Sequence, residues 1–209
     1  LPDVYNAFFV LLTFLICVNL WYKPSNKLYL LAGLAVGLSF SVKYQIFAIF
    51  PFILTHFFIS FEKNKINFKK LFNPYFFLSL GLIPLIFIIT NPYFFIHFKQ
   101  AIKSITDVSI KYGMGTKQLN LYPFSYWYHI DYGAPLFIIA AIGILVALKK
   151  FTKETLLLMS FIIPFMFIMN FYSRGGFYVR NFITTTPLIM IFAAVGIWFF
   201  FDQIIVRLG

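Results

Sequence analysis

The chain has 209 residues, of which 61% are hydrophobic and only 11% charged, and its formal net charge is +11. A soluble globular domain carries roughly 25% charged residues, so this composition excludes an ordinary soluble fold and indicates a protein embedded in a membrane. Backbone groups in lipid must form their hydrogen bonds within the protein. We therefore predict an all-α, polytopic transmembrane helical bundle that forms one domain over residues 1–209.

Seven apolar blocks follow one another along the chain, with lengths close to the roughly 17–25 residues that cross a bilayer. The predicted spans are Val4–Tyr22, Leu28–Val42, Gln45–Phe61, Pro74–Thr90, Ala134–Leu148, Thr155–Phe171 and Phe182–Phe201. In the second span Gly33 and Gly37 are four residues apart, a spacing typical of closely packed membrane helices. Because the chain begins with Leu1 and the first span follows at once, we expect a C-terminal fragment that lacks the first spans.

The distribution of basic residues predicts the orientation of these spans. With the N-terminus outside, ten of the seventeen Lys and Arg residues fall on the inner side: Lys23, Lys27, Lys63, Lys65, Lys69, Lys70, Lys149, Lys150, Lys153 and Arg207. This asymmetry follows the positive-inside rule and predicts a multi-pass protein of the plasma or inner membrane. Contact between these basic residues and membrane lipid accounts for the positive net charge. Nucleic acid is therefore not predicted as a partner.

The one long connection, residues 91–131, lies on the predicted outer face. Its apolar residues from Phe94 to Tyr112 recur at three, four or seven residues with charged residues between them, which predicts an amphipathic helix lying in the interface. Gly113 to Gly115 should end that helix. An aromatic run follows and includes His129 shortly before Asp131. Such a run is typical of an aromatic belt, and it also suits contact with a prenyl chain or a sugar.

Short outward connections contain only three cations, Lys43, Arg174 and Arg180, and Asp3 opens the first span on the same side. Each has a plain explanation: the cations can extend to the headgroups, and a carboxylate suits a helix N-terminus. Together they suggest more, because the guanidinium fork matches phosphate oxygens and charged residues at membrane depth commonly mark functional sites. The pattern predicts an outer site for a phosphate or pyrophosphate group.

Three segments resemble the integral-membrane C-type glycosyltransferases, the superfamily that includes protein mannosyltransferases and the aminoarabinose transferase of lipid A. These are LPDVYNAFFVLLTF with Asp3, GLAVGLSFSVKY with Lys43, and RNFITTTPL with Arg180. Asn91-Pro92-Tyr93 is similar to the Thr-Pro-Tyr segment of the family. The chain departs from the pattern at His97, where many relatives carry aspartate, and after Arg180, where an aromatic residue is usual.

The resemblance implies transfer of a sugar from a polyprenyl-phosphate carrier to a glycan, lipid or protein acceptor on the extracytoplasmic face. It implies a catalytic role for Asp3, which is also the expected ligand of a divalent ion, Mg²⁺ or Mn²⁺. The expected donor-binding residues are Lys43, Tyr93, Arg174 and Arg180, and the further acceptor or donor contacts are His97, His129 and Asp131. The acidic pair of the family's first outer loop is expected upstream of Leu1.

Two other functions remain open at this point. A flippase or transporter of lipid-linked sugars should carry ionisable residues near the middle of its spans, whereas the charges of this chain gather at the ends of the spans. A non-catalytic membrane subunit would need no shared site, so Lys43, Arg174 and Arg180 would lie far apart.

Overall fold

The computed structural model describes residues 2–62, 65–111, 113–114, 121–172 and 179–208, and these are almost entirely helical. The predicted all-α class is therefore confirmed. Five helical segments are long and apolar enough to cross a membrane: Pro2–Tyr22, Phe68–Thr90, Gly133–Lys150, Thr152–Asn170 and Thr186–Gln203. The chain is a membrane protein by this criterion, and the finer prediction of about seven spans is not confirmed.

The chain forms two compact units, Leu1–Tyr112 and Gly113–Gly209. The division falls inside the predicted outer connection 91–131, and the prediction of one transmembrane domain over the whole chain stays a prediction. The helices of the first unit are α1 (Pro2–Tyr22), α2 (Asn26–Lys43), α3 (Ile49–Ser60), α4 (Phe68–Leu71), α5 (Pro74–Thr90), α6 (Pro92–Ile96) and α7 (Phe98–Lys111). A short antiparallel hairpin, β1 (Phe61–Glu62) and β2 (Lys65–Ile66), joins α3 to α4.

Helix α2 packs against both α1 and α5, and its glycines explain how closely it approaches α5. A Cβ atom on Gly33 would lie 2.5 Å from the carbonyl oxygen of Ser79, and one on Gly37 would lie 2.9 Å from Cβ of Ile86. The predicted close packing at these two positions is confirmed. The polar residues at its two ends, Asn26, Lys27 and Lys43, make this helix less apolar than the five candidate spans.

The ends of α2 are set by local hydrogen bonds. Ser25 Oγ accepts the backbone N–H of Leu28 at 3.3 Å and caps the N-terminus. At the C-terminus Tyr44 adopts a left-handed conformation with φ 55°, and its N–H donates to the carbonyl oxygen of Phe40 at 2.7 Å. The helix therefore stops directly after Lys43, which lies in its last turn. A 3₁₀ turn over Ile46–Ala48 then leads into α3.

Helix α7 confirms the predicted amphipathic pattern from Phe98 onward, whereas Phe94 lies on the separate helix α6, which ends before His97. Phe98, Ile102 and Ile105 share one face, whereas Lys99 and Lys103 lie on the other. Every residue of the helix keeps part of its surface exposed, as expected for a helix that lies on a membrane surface. The helix ends just before Gly113, whose φ is 57°, a conformation that glycine adopts without strain.

The second unit contains α8 (Tyr122–Tyr126), α9 (Gly133–Lys150), α10 (Thr152–Phe167) and α11 (Thr186–Leu208), with π-helical turns at Trp127–Asp131 and Ile168–Tyr172 and a 3₁₀ turn at Val179–Thr184. Helices α9 and α11 form its closest pair. A Cβ atom on Gly143 would overlap the carbonyl oxygen of Phe192, and one on Gly196 would overlap that of Ile139. The reciprocal glycines bring the two backbones into contact along this pair.

Candidate functional site

A polar cluster lies where α1 begins and α2 ends, and we call it the α1–α2 cluster: Asp3, Asn6, Ser39, Lys43 and Gln45. Asp3 is in the first turn of α1 and Lys43 is in the last turn of α2. Their side chains form an ion pair and are only 13% and 17% exposed. Each charge also suits its helix end, because a carboxylate is favourable at an N-terminus and an ammonium at a C-terminus. The structure thus brings two predicted site residues into direct contact.

Buried hydrogen bonds lie beside this ion pair. Ser39 Oγ donates to Asn6 Oδ1 at 2.8 Å, and Asn6 Nδ2 donates to Gln45 Oε1 at 3.2 Å. Asn6 and Ser39 are fully buried. Because a buried polar group is costly unless it is paired, these bonds fix α1 against α2 and hold the ion pair in one geometry.

Leucine in place of Asn6 should destabilise the first unit, since it leaves the Ser39 hydroxyl and the Gln45 amide without this shared partner. We expect the free energy of unfolding to fall by about 1–3 kcal/mol. The matched control is Asn19→Leu on the same helix, because Asn19 is exposed and, within the described residues, its side chain donates to its own helix at Leu15, 2.7 Å away. Unfolding midpoints in detergent should separate the two variants, and equal midpoints would contradict the proposed role of Asn6.

The end of α5 contacts the last turn of α2, on the side of that helix that faces away from the α1–α2 cluster. Thr90 Oγ1 donates to Ser41 Oγ at 2.8 Å, and Asn91 Nδ2 donates to Thr90 Oγ1 at 3.1 Å. The start of α1 and the last turns of α2 and α5 therefore lie at the same end of the first unit, with Ser39 and Lys43 directed to α1 and Ser41 directed to α5. Polar side chains collected at one end of an otherwise apolar bundle are expected at the membrane surface or at a site near it.

Aromatic rings connect this region to α6. The ring of Tyr44 lies 5.7 Å from that of Phe87 and 6.3 Å from that of Phe94, measured between centroids. On α6 the rings of Tyr93 and His97 lie 6.3 Å apart and almost parallel, at an angle of 4°. Tyr93 is 73% exposed. Two further predicted site residues thus form an exposed pair in the same unit as the α1–α2 cluster.

A buried histidine, missed by the sequence analysis, joins α2 to α3. His56 Nε2 lies 3.0 Å from the carbonyl oxygen of Leu71, and Nδ1 lies 2.9 Å from the hydroxyl of Tyr29. Since a carbonyl oxygen only accepts, Nε2 carries the proton and Nδ1 accepts from the tyrosine. The ring also stacks on Phe76 at 3.8 Å. Both nitrogens are used in packing, so His56 is a structural residue.

The remaining predicted site residues belong to the second unit. His129 and Asp131 are exposed on the first π-helical turn, and Arg180 is exposed on the 3₁₀ turn before α11. Arg174 lies outside the described residues. The predicted gathering of Lys43, Arg174 and Arg180 around one headgroup therefore stays a prediction.

Tyr132 connects the first π-helical turn to the start of α11. Its hydroxyl donates to Thr186 Oγ1 at 3.1 Å. Burial raises the pKa of Tyr132 to about 12, the hydrogen bond with Thr186 opposes this shift, and the neighbouring Asp131 carboxylate adds to it. The phenol is consequently protonated at neutral pH and can donate this hydrogen bond. It holds the turn that carries His129 and Asp131.

The described residues do not bring together the ligands that a divalent metal site requires. Within them no group of three or more His, Cys, Asp or Glu side chains lies together, whereas hard divalent ions need several oxygen ligands. Asp3 offers one carboxylate, and that carboxylate faces the ammonium of Lys43. These residues do not by themselves form a metal site, so no chemical step is assigned to the predicted Mg²⁺ or Mn²⁺ ion.

Helical periodicity could have revealed the residues that sequence reasoning missed. Asn6 follows Asp3 by three residues and Ser39 precedes Lys43 by four, so each polar residue shares a helix face with its charged neighbour. The available signal was therefore a polar residue that shares a helix face with a charged residue inside an apolar block. Gln45 carries no such pattern, because it follows the left-handed Tyr44 and is placed by the chain reversal there.

No family model matches this chain, and neither a curated protein nor a solved structure matches it.

Proposed function

We propose that this chain is part of a membrane glycosyltransferase that moves a sugar from a polyprenyl-phosphate carrier to an acceptor on the extracytoplasmic face. One observation carries the proposal: Asp3 and Lys43 form a largely buried ion pair at the end of apolar helices, beside buried amide and hydroxyl groups. Structural stability alone rarely requires such a pair, because removing two charges from water is costly. Charged residues at membrane depth are more commonly part of a site.

The chemistry of the proposed donor fits an ammonium in this position. The bond between the anomeric carbon and the phosphate oxygen breaks, and negative charge develops on the departing lipid phosphate. A fixed cation stabilises that charge more strongly in the transition state than in the ground state. We assign this role to Lys43, with Arg174 and Arg180 of the second unit as further donor-binding cations.

We also assign a role to Asp3, which orients the acceptor. In the free protein it neutralises Lys43, so an incoming phosphate competes with the carboxylate for the ammonium. A carboxylate released in this way can accept a hydrogen bond from the acceptor hydroxyl and orient it toward the anomeric carbon. The exposed pair of Tyr93 and His97 offers stacking and hydrogen-bonding surfaces for a sugar, and His129 and Asp131 are assigned as further contacts.

Arginine 180 provides the direct test of the proposed activity. We expect Arg180→Ala to lower sugar transfer by about 10²–10³-fold, the usual effect of removing one group that stabilises transition-state charge. The measurement is covalent transfer from a polyprenyl-phosphate sugar to an acceptor in membranes that contain the full chain. The matched control is Lys149→Ala, which also removes one exposed cation but lies at the end of α9 and should leave the transfer rate unchanged.

Two results would contradict the proposal. Unchanged transfer by a well-expressed Arg180→Ala protein would remove this arginine from the mechanism. Movement of a fluorescent polyprenyl-linked sugar across the bilayer, without covalent transfer to any acceptor, would identify a flippase.

A further inference from the structure

The second unit contains an apolar cavity of about 510 Å³ between α9, α10 and α11. Ligand pockets in proteins usually measure about 300–1,000 Å³, so this space is large enough for a lipid chain or a small molecule. Its walls include Phe137 and Ala141 on α9, Met159 and Met166 on α10, and Ile189 on α11. The cavity lies within one unit and is separate from the α1–α2 cluster.

The packing of the three helices explains why a cavity exists here. Gly143 and Gly196 bring α9 and α11 into backbone contact, whereas α10 contacts α9 over a much shorter stretch. The gap follows α10 from Met159 and continues to Asn170 on the π-helical turn after it, a distance of about 16 Å if each residue rises by about 1.5 Å. Ile163 and Phe167 on its rim are 62% and 53% exposed. An exposed apolar rim on a membrane helix faces lipid, so a chain from the bilayer can enter from the side.

A side-chain amide interrupts the apolar lining. Asn170 lines the cavity and is only 4% exposed. Its Nδ2 lies 3.6 Å from the sulfur of Met166, and its Oδ1 has no hydrogen-bond partner among the residues that the structure describes. A buried acceptor without a donor lowers the stability of the fold, and a ligand that supplies a donor removes this cost. Asn170 also lies on a π-helical turn, a feature that is frequent at functional sites.

We propose that this cavity binds an uncharged long-chain lipid alcohol, with the hydrocarbon chain along α10 and the hydroxyl donating to Asn170 Oδ1. The lining supports each part of this assignment. Its side chains are apolar apart from the Asn170 amide and the indole N–H of Trp127, and such a lining excludes a charged headgroup, because burying an unpaired charge is very costly. A single unpaired acceptor at one end of an apolar space matches a ligand with a single donor, which reaches Oδ1 once the Asn170 amide rotates toward the cavity, since that oxygen is buried at its wall. The proposal does not depend on sugar transfer.

The test uses a photoactivatable long-chain alcohol and its methyl ether, which has the same chain but no donor. In membranes containing the full chain, we expect the alcohol to label peptides carrying Met159 and Met166 with about tenfold higher apparent affinity than the ether, because one hydrogen bond to a buried acceptor is gained. Asn170→Leu should abolish that difference. Ala141→Trp should fill the cavity and reduce labelling by both probes.

Leu145→Trp is the matched control, since Leu145 is 63% exposed on the same helix and lies outside the cavity; labelling should match the wild-type protein. Equal labelling by alcohol and ether in the wild-type protein would overturn the proposal and leave an ordinary bilayer chain as the occupant. Labelling that survives Ala141→Trp would overturn it as well, because the probe would then be bound elsewhere. Both results can be obtained even if Asn170→Leu fails to fold.

Discussion

Leucine in place of Gly33 is expected to separate α2 from α5 and to prevent the first unit from folding stably. A Cβ atom at this position would lie 2.5 Å from the carbonyl oxygen of Ser79 and 2.9 Å from its Cβ. These atoms are a backbone oxygen of the facing helix and the first carbon of the Ser79 side chain. They cannot move aside as the end of a long side chain could. Overpacking by small groups costs about 1–3 kcal/mol, and a whole leucine side chain against a helix backbone should reach the top of that range.

The measurement is the fraction of monodisperse protein after extraction into mild detergent, together with its unfolding midpoint. Gly81→Leu is the matched control, because Gly81 lies on α5 and a Cβ atom there would have no neighbour within 4 Å. That variant should be at least as stable as the wild type, since leucine is a better helix former than glycine by about 1 kcal/mol. An equal loss of stability in both variants would show that the close α2–α5 contact is not the reason why leucine is unfavourable at Gly33.

Removal of Lys43 is expected to impair both stability and sugar transfer. Lys43→Ala leaves the Asp3 carboxylate, which is 13% exposed, without its ammonium partner. Breaking a fully buried pair costs about 3–5 kcal/mol, so we expect about 2 kcal/mol for this partly hydrated one. If Lys43 also stabilises the departing phosphate, the transfer rate should fall by about 10²–10³-fold at temperatures where the variant remains folded.

The charge-exchanged protein, with Asp3→Lys and Lys43→Asp together, separates these two effects. The ion pair can form again in reverse, so most of the lost stability should return. A remainder of about 1 kcal/mol should persist, because each charge now opposes its helix dipole. Sugar transfer should stay low, since the ammonium then lies on α1. Recovery of transfer together with stability would show that the pair is only structural.

The spans that sequence patterns predicted well are long apolar helices of which less than half is buried within the protein. α1, α5, α9, α10 and α11 correspond to predicted apolar blocks and are the five candidate spans, since hydropathy reports transfer into lipid directly. Helix α2 falls below these spans in apolar character because its 18 residues include the polar Asn26, Lys27 and Lys43 at its two ends.

Hydropathy gave less information on the region after α2. The block predicted over Gln45–Phe61 corresponds to an apolar helical segment, Ile46–Ser60, which begins with a 3₁₀ turn and is shorter than the five candidate spans. The left-handed Tyr44 reverses the chain just before this block. Such a conformation is uncommon for a non-glycine residue, and apolar periodicity carries no information about it.

The amino-acid sequence by itself determined the membrane class, the amphipathic helix α7 and the glycine contacts of α2, because each depends on composition or on spacing within one helix. It also identified Asp3 and Lys43 separately as charges that needed an explanation. Only the tertiary structure decided that these two charges pair with each other and that Asn6 and Ser39 lie beside them. Contacts between different helices depend on how their faces align in space, and the spacing within each helix leaves that alignment undetermined.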